Sequence, residues 1–384
     1  MRVLFVAHAY PRHASDPVGS FVHNLALALR DEGIDVVVVA PSAPSLAEHE
    51  TIGGIPVHRF RYAPRALETL AYTGTMNSQV SAGVRGKLTM LAFLAAALRL
   101  ARRVAREERV MLVHAHWWFP GGLVARALHR LTRLPYVVTM HGSDLRLALA
   151  SALGRRLFRG VTRDAGRVTS VSSWMARGAV EMGATPIPDV APMPVLTELF
   201  SPGGARDARR LLFVGKLSEQ KGLDRLLRAM ARMREPALLT VVGAGRVDDA
   251  GVRSLARELH LDFRIEWLPL LSQQELAAQY RRAAVYVVPA LDEGLGLTAV
   301  EAQLSETPVV AYASGGMPDV VVDGETGLLV PPGDEAQLAV ALDTLLADTP
   351  RRERMGKAGR THALAAFGAR AVAKRYAGYY RSLA

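Results

Sequence analysis

The sequence predicts an α/β protein made of two doubly wound parallel-sheet lobes. Three observations predict it: short unbroken Val/Leu-rich runs alternate with helix-spaced apolar residues, this series starts afresh near Arg210, and a proline-rich stretch separates the two series. Strands covered on both faces need no polar alternation, and parallel neighbours need a crossover helix between them.

In the first series, Arg2–Ala7 reads as a strand, Gly19–Asp31 as a helix and Ile34–Ala40 as a continuous buried strand. Met111–Ala115 and Tyr136–Met140 read as strands on either side of a helix at Leu123–Thr132, and Val168–Ser172 follows a further helix. Pro186–Arg210 holds five prolines and the turn signal Pro202-Gly203-Gly204, the composition of a junction. The second series runs through Arg210–Gly215, a helix at Leu223–Met233, and strands at Ala237–Gly243, Val285–Pro289 and Pro308–Tyr312. This predicts a first lobe over 1–195, a linker at 196–209 and a second lobe over 210–364. Arg351–Ala384 is helical by pattern, and its last part, about 365–384, is placed to pack back on the first lobe.

A chain of 384 residues can bury two cores without staples. It has no cysteine, which excludes disulfides, cysteine-ligated zinc and thiol catalysis. Met1–Ala7 is too short in its apolar part for a secretory signal. The apolar run Leu88–Leu98 spans 11 residues, against about 20 needed to cross a bilayer. A soluble, cytoplasmic protein is expected.

The net charge of +11 is uneven: residues 1–195 carry 23 Lys+Arg against 13 Asp+Glu, and residues 196–384 carry 24 against 23. Nucleic acid, an anionic membrane and an acidic substrate each fit such an excess. No helix-turn-helix, RNA-binding aromatic strand or zinc pattern accompanies it, which argues against nucleic acid. Around Leu88–Leu98, the stretch Arg85–Arg109 has seven basic residues and two acids. It reads either as a face resting on an anionic membrane or as a core-packed helix with a solvated basic end.

Ligands in open α/β sheets bind beyond the carboxyl ends of the strands, so the loops there carry the candidate chemistry. After Val285–Pro289, the loop Asp292-Glu293-Gly294-Leu295-Gly296 leads into a helix from about Thr298. Its first amides, on Gly296, Leu297 and Thr298, suit a phosphate. Glu301, one turn in, can accept hydrogen bonds from a ribose diol, although Thr298-x-x-Glu301 also has the form of a capping box. After Arg210–Gly215, Lys216 and Lys221 straddle a short loop, placed to neutralise a diphosphate or simply to be solvated. Gly315-Gly316 after Pro308–Tyr312 offers backbone donors, or an ordinary tight turn. In the first lobe, Gly19 opens a helix, and His141 ends a buried strand at the expected ligand face. His114 and His116 project to one side of a strand but lack an evident third ligand, so structural or acceptor-facing roles suit them better than metal binding.

Taken in order, these segments resemble the retaining glycosyltransferases of family 4, the glycosyl transferases group 1, over nearly the whole chain. The residues that carry the resemblance are Phe213-Val214-Gly215-Lys216-Leu217 with Lys221-Gly222, Val241-Val242-Gly243-Ala244-Gly245, Glu293-Gly294-Leu295-Gly296-Leu297 through Glu301, Gly315-Gly316-Met317-Pro318-Asp319, and Thr326-Gly327-Leu328-Leu329-Val330. The resemblance implies the GT-B architecture, two Rossmann-like lobes facing a central cleft, with the acceptor on the first lobe and the donor on the second. It implies transfer from a nucleotide-diphosphate sugar to a glycan or lipid-linked acceptor, as in cell-envelope polysaccharide, lipopolysaccharide or glycolipid synthesis. Retention would follow from front-face substitution, with no cofactor, metal or enzyme nucleophile.

The catalytic set implied is His141, Lys216, Lys221 and Glu293. Glu301 would hold the donor ribose, the two lysines the diphosphate, and Glu293 the transferred sugar. Gly215, Gly243, Gly294, Leu295, Gly296, Leu297, Thr298, Gly315 and Gly316 would line the donor site. His141 would line the sugar site, and the Gly19 loop would touch the donor phosphate or the acceptor. Three positions depart from the family pattern: Lys216 stands where arginine is usual, which loses bidentate geometry; Gly19 stands without a second glycine; and Asp319 replaces a glutamate.

Two other enzyme classes come into question. A nicotinamide dehydrogenase is disfavoured because Gly243-Ala244-Gly245 lacks the third fingerprint glycine. A nucleotide-sugar epimerase of similar architecture would isomerise the donor without transfer.

Overall fold

The first strand, β1 (Arg2–Val6), starts a series that the computed structural model describes throughout the chain except at residues 15, 74–75, 82, 143–150 and 244–248. The chain divides into two units, Met1–Pro194 with Ala369–Ala384, and Val195–Gly368.

In the first unit β1 is followed by α1 (Ser20–Arg30), β2 (Asp35–Pro41), β3 (His49–Ile52), β4 (Ile55–Phe60), α2 (Met76–Ser81) and α3 (Val84–Glu107). Then come β5 (Leu112–His116), α4 (Leu123–Thr132), β6 (Tyr136–Met140), α5 (Ala152–Asp164), β7 (Arg167–Ser170), α6 (Ser173–Glu181) and β8 (Asp189–Val190). The sheet order is β3-β4-β2-β1-β5-β6-β7-β8, parallel except for the β3–β4 pair. β5 and β6 are buried along their whole length, as expected of strands covered on both faces.

The second unit holds β9 (Arg210–Val214), α7 (Leu223–Met230), β10 (Leu238–Val242), α8 (Asp249–Glu258), β11 (Ile265–Leu268), α9 (Gln273–Arg282) and β12 (Val285–Val288). These are followed by α10 (Leu297–Leu304), β13 (Val309–Tyr312), α11 (Met317–Val320), β14 (Gly327–Val330), α12 (Glu335–Ala347) and α13 (Thr349–Phe367). Its sheet is wholly parallel in the order β11-β10-β9-β12-β13-β14. The order reverses between β9 and β12, so a crevice opens there at the carboxyl ends, where a doubly wound sheet takes its ligand. Its core gathers Leu211, Leu227, Leu239, Val285, Val310 and Leu342.

The stretch 196–209 belongs to the second unit. Arg206 donates to Thr307 Oγ1 at 2.7 Å and to the carbonyls of Ser305 and Glu306 at 3.2 Å, and Asp207 N bonds Arg282 O. The helical C-terminus is two helices, broken at Gly368. The second, α14 (Ala369–Arg381), packs on α1 in the first unit. Its Tyr376 and Tyr380 are fully buried; Tyr380 Oη lies 2.6 Å from His114 Nδ1, and Tyr376 donates to Ala191 O at 2.9 Å.

Candidate active site

In the second unit the loops that follow β9, β12 and β13 interlock. Leu291 N donates to Gln220 O at 3.0 Å, Asp292 N to Ser314 Oγ at 3.0 Å, and Gly316 N to Glu293 O at 2.8 Å. Gly315 sits at φ +61°, and a Cβ there would lie 2.2 Å from Glu293 O, so only glycine lets the third loop press against the second. These contacts fix the Glu293 backbone, and its carboxylate meets Lys221 Nζ at 2.5 Å. Both side chains are half-buried, which limits solvent screening of the pair.

Gly296, in the left-handed region, caps α10, and the helix begins at Leu297. The first amides of a helix have no intrahelical acceptor and present a positive end. The capping box does not form. Glu301 instead accepts a hydrogen bond from Tyr280 Oη at 2.9 Å, and Thr298 bonds the buried Tyr286 hydroxyl. Burial pushes the Glu301 carboxyl up to about 7, opposed by the Tyr280 hydrogen bond. Among the predicted donor-site residues, Lys221, Glu293, Gly294, Leu295, Gly296, Leu297, Thr298, Glu301, Gly315 and Gly316 therefore lie on one set of interlocked loops and the helix start that follows them.

Gly215 and Gly243 sit side by side at the ends of β9 and β10, where Gly215 N donates to Val242 O at 3.1 Å. Lys216 is exposed and does not join the Lys221–Glu293 pair. Ala244 and Gly245 lie outside the described residues.

In the first unit the sheet order reverses between β1 and β5, and aromatic groups gather at that end. The Trp117 ring lies 4.3 Å from His8 and 4.5 Å from His141, and Phe21 of α1 lies 5.0 Å from His141. His141 Nε2 is 3.1 Å from His116 Nδ1. Burial holds His8 down to about 4 and pushes His114, His116 and His141 well below the usual imidazole range, so all four are neutral at pH 7. They offer hydrogen bonds rather than charge.

His114 and His116 do lie on one side of β5, with rings 4.1 Å apart. Both nitrogens of His114 are taken, by Tyr380 and Thr139 at 2.6 Å each, so His114 is a buried strut. Gly19 takes φ +71° before α1, and a Cβ there would be 2.4 Å from Ala9 O. Its conformation lets that turn close onto the segment after β1. Ser143 and Asp144 lie outside the described residues.

Two contributors escape sequence reasoning. Tyr280 comes from α9, not from a strand-end loop, and its place beside Glu301 depends on helix packing. His8 lies two residues beyond β1, and that position at a strand end was the available signal.

This fold and site define a two-unit α/β protein whose second unit carries a cation, a carboxylate and a helix start on interlocked strand-end loops. The glycosyl transferases group 1 profile matches residues 197–362, and a glycosyl transferase 4-like domain matches residues 18–195. The D-inositol 3-phosphate glycosyltransferase of Kribbella flavida is 32% identical over 381 aligned positions, covering 89% of this chain and 85% of its own. The chain belongs to the glycosyl transferases group 1 family and is a glycosyltransferase.

Solved structures agree on the fold. Sucrose-phosphate synthase from Thermosynechococcus elongatus superposes with a TM-score of 0.81 at 24% identity, covering 100% of this chain and 98% of its own. Anabaena HepE in complex with UDP-glucose gives 0.75 at 19% identity, with both chains fully covered. The fold is GT-B.

Proposed function

We propose that this glycosyltransferase takes a nucleotide-diphosphate sugar as donor and transfers its sugar, with retention and without a metal ion, to a glycan or lipid-linked acceptor of the cell envelope. The observation that carries this reading is the surface formed by Lys221, Glu293, the α10 N-terminus and Glu301 beside the β9–β12 reversal. Glu301 accepts the ribose hydroxyls. Lys221 and the first-turn amides of α10 receive the diphosphate, with Lys216 adding charge from the exposed side. Glu293 contacts the transferred sugar. A UDP-glucose complex of HepE, which shares the fold, supports a uridine-type donor.

The chemistry follows from charge. As the bond from the anomeric carbon to the phosphate oxygen breaks, negative charge grows on the leaving diphosphate. A preorganised cation and aligned amides stabilise that charge without rearranging, a contribution commonly worth 10²–10³-fold in rate, roughly 3–4 kcal/mol. The departing phosphate oxygen takes the acceptor hydroxyl's proton as the new glycosidic bond forms on the same face. Glu293 is engaged by Lys221 and serves as a polar contact, not a nucleophile. His141, neutral and oriented by His116, can hydrogen-bond a sugar hydroxyl.

A thermal-shift screen of nucleotide sugars, followed by hydrolysis and transfer assays on the hits, tests the donor class. Proton NMR of the product then reports the anomeric configuration. An inverted product would overturn retention, and loss of turnover on chelation, restored by a divalent ion, would overturn metal independence.

A further inference from the structure

The buried face of α3 is anchored by Met90, Phe93, Leu100 and Val104, with Phe93 edge-on to Phe60 at 4.8 Å. Its opposite face is open among the described residues and divides in two along the axis. In the N-terminal half, Val84, Leu88 and Leu91 stand in line, 72%, 60% and 62% exposed. Helical spacing continues that line through exposed Ala95 to Arg99, Arg102 and Arg106 in the C-terminal half. At 1.5 Å per residue the stripe from Leu88 to Arg106 is about 27 Å long. The helix carries six basic residues and, at its end, the single acid Glu107; none of the six is in an ion pair among the described residues.

Beside the arginines a groove of about 900 Å³ opens between α3 and the end of α4. Arg99, Arg102 and Arg106 line it together with Leu131 and Leu134.

We infer that this face of the first unit docks on the surface of a bilayer containing anionic phospholipid, with Leu88 and Leu91 entering the interface and the arginines meeting the headgroup phosphates. Apolar side chains flanked by unpaired cations on one helix face match the two layers of such a surface. The surplus of positive charge in residues 1–195 acts in the same direction. A second copy of the chain laid on this face would bring three more arginines and, within the stripe, no acid to pair any of them. A polyanion in water would gain nothing from the exposed leucines. No described helix is long and apolar enough to cross a membrane, so the association is peripheral to the extent that it rests on this face. The docking does not depend on which donor or acceptor the enzyme uses.

The test is co-sedimentation of the full-length protein with phosphatidylcholine vesicles, with and without phosphatidylglycerol, at low and high salt, alongside heparin chromatography. Wild-type protein is expected to bind only the anionic vesicles, and less at high salt. The triple variant R99Q/R102Q/R106Q should lower the partition roughly 100-fold, at about fivefold per arginine. L88S/L91S should lower it by about tenfold or more. Both variants alter exposed positions, so melting temperature and hydrolysis of a soluble donor should hold, which keeps the result separate from the donor site. Failure of the wild type to bind anionic vesicles would overturn the inference, as would binding that survives either variant. Equal retention of wild type and L88S/L91S on vesicles and heparin would assign the face to soluble polyanions instead.

Discussion

Replacing Tyr280 by phenylalanine removes the hydroxyl that donates to Glu301 across 2.9 Å and leaves the ring in its packing against Tyr286. Burial has already raised the Glu301 carboxyl from 4.5 to about 7, and the Tyr280 hydrogen bond is what opposes a further rise. A hydrogen bond to a charged group contributes about 1.5–3 kcal/mol, equivalent to about one to two pH units. In the proposed reading the ribose hydroxyls donate to the ionised carboxylate, so donor affinity follows its deprotonation. For wild-type enzyme, calorimetric titration with UDP-glucose should show affinity constant above pH 8 and weakening toward tenfold per pH unit below pH 7. The buried histidines stay neutral over this range and add no competing step. Tyr280→Phe should move the midpoint up by about one pH unit or more, with near wild-type affinity recovered at the alkaline end. Glu301→Gln should bind weakly at every pH. A flat wild-type profile, or an unmoved midpoint in Tyr280→Phe, would refute the assignment of Glu301 to the donor.

The same carboxyl has a stability consequence. Its folded pKa lies above its unfolded value, so the folded chain holds the extra proton, and stability falls as pH rises from about 4.5 through 7. Glu301→Gln should therefore raise the melting temperature at pH 8, by up to about 3 kcal/mol of stability, and change little at pH 4. Lys221→Ala should lower kcat by 10²–10³-fold, roughly 3–4 kcal/mol of barrier, in a transfer or donor-hydrolysis assay. Gly315→Ala, whose methyl would meet Glu293 O at 2.2 Å, should lower both melting temperature and kcat/KM, because the backbone that aims Glu293 must move. Tyr380→Phe leaves His114 Nδ1 buried and unpaired; urea denaturation should show a loss of about 1–3 kcal/mol without a direct effect on donor affinity.

Much of the architecture was legible in the sequence. Tyr136–Met140 and Leu123–Thr132 match β6 and α4 residue for residue, and the other apolar runs are displaced by only one to three residues at their ends. Strands covered on both faces are written as unbroken apolar runs, and helices as a 3.6-residue pattern, so each declares itself locally. The β3–β4 hairpin does not. His49–Ile52 is short and polar at the sheet edge, and its pairing comes from its neighbour more than from its own composition. The change of unit at Gly368, inside what reads as one helical tail, is equally invisible. It rests on where Tyr376 and Tyr380 find buried partners.

The site divides along the same line. Glycines and carboxylates at strand ends mark the loops that can approach a ligand, and their order along the chain identifies the family resemblance. By itself, then, the sequence determined the two parallel sheets, the candidate loops at their strand ends and the concentration of charge in the first half. Only the tertiary structure decided that Lys221 pairs with Glu293, 72 residues away, that Tyr280 rather than a helix cap holds Glu301, and that His114 is tied to the last helix. A hydrogen bond or ion pair depends on distances of a few ångströms between atoms far apart in the chain, and packing of whole elements sets those distances. Periodicity and spacing act over one element at a time.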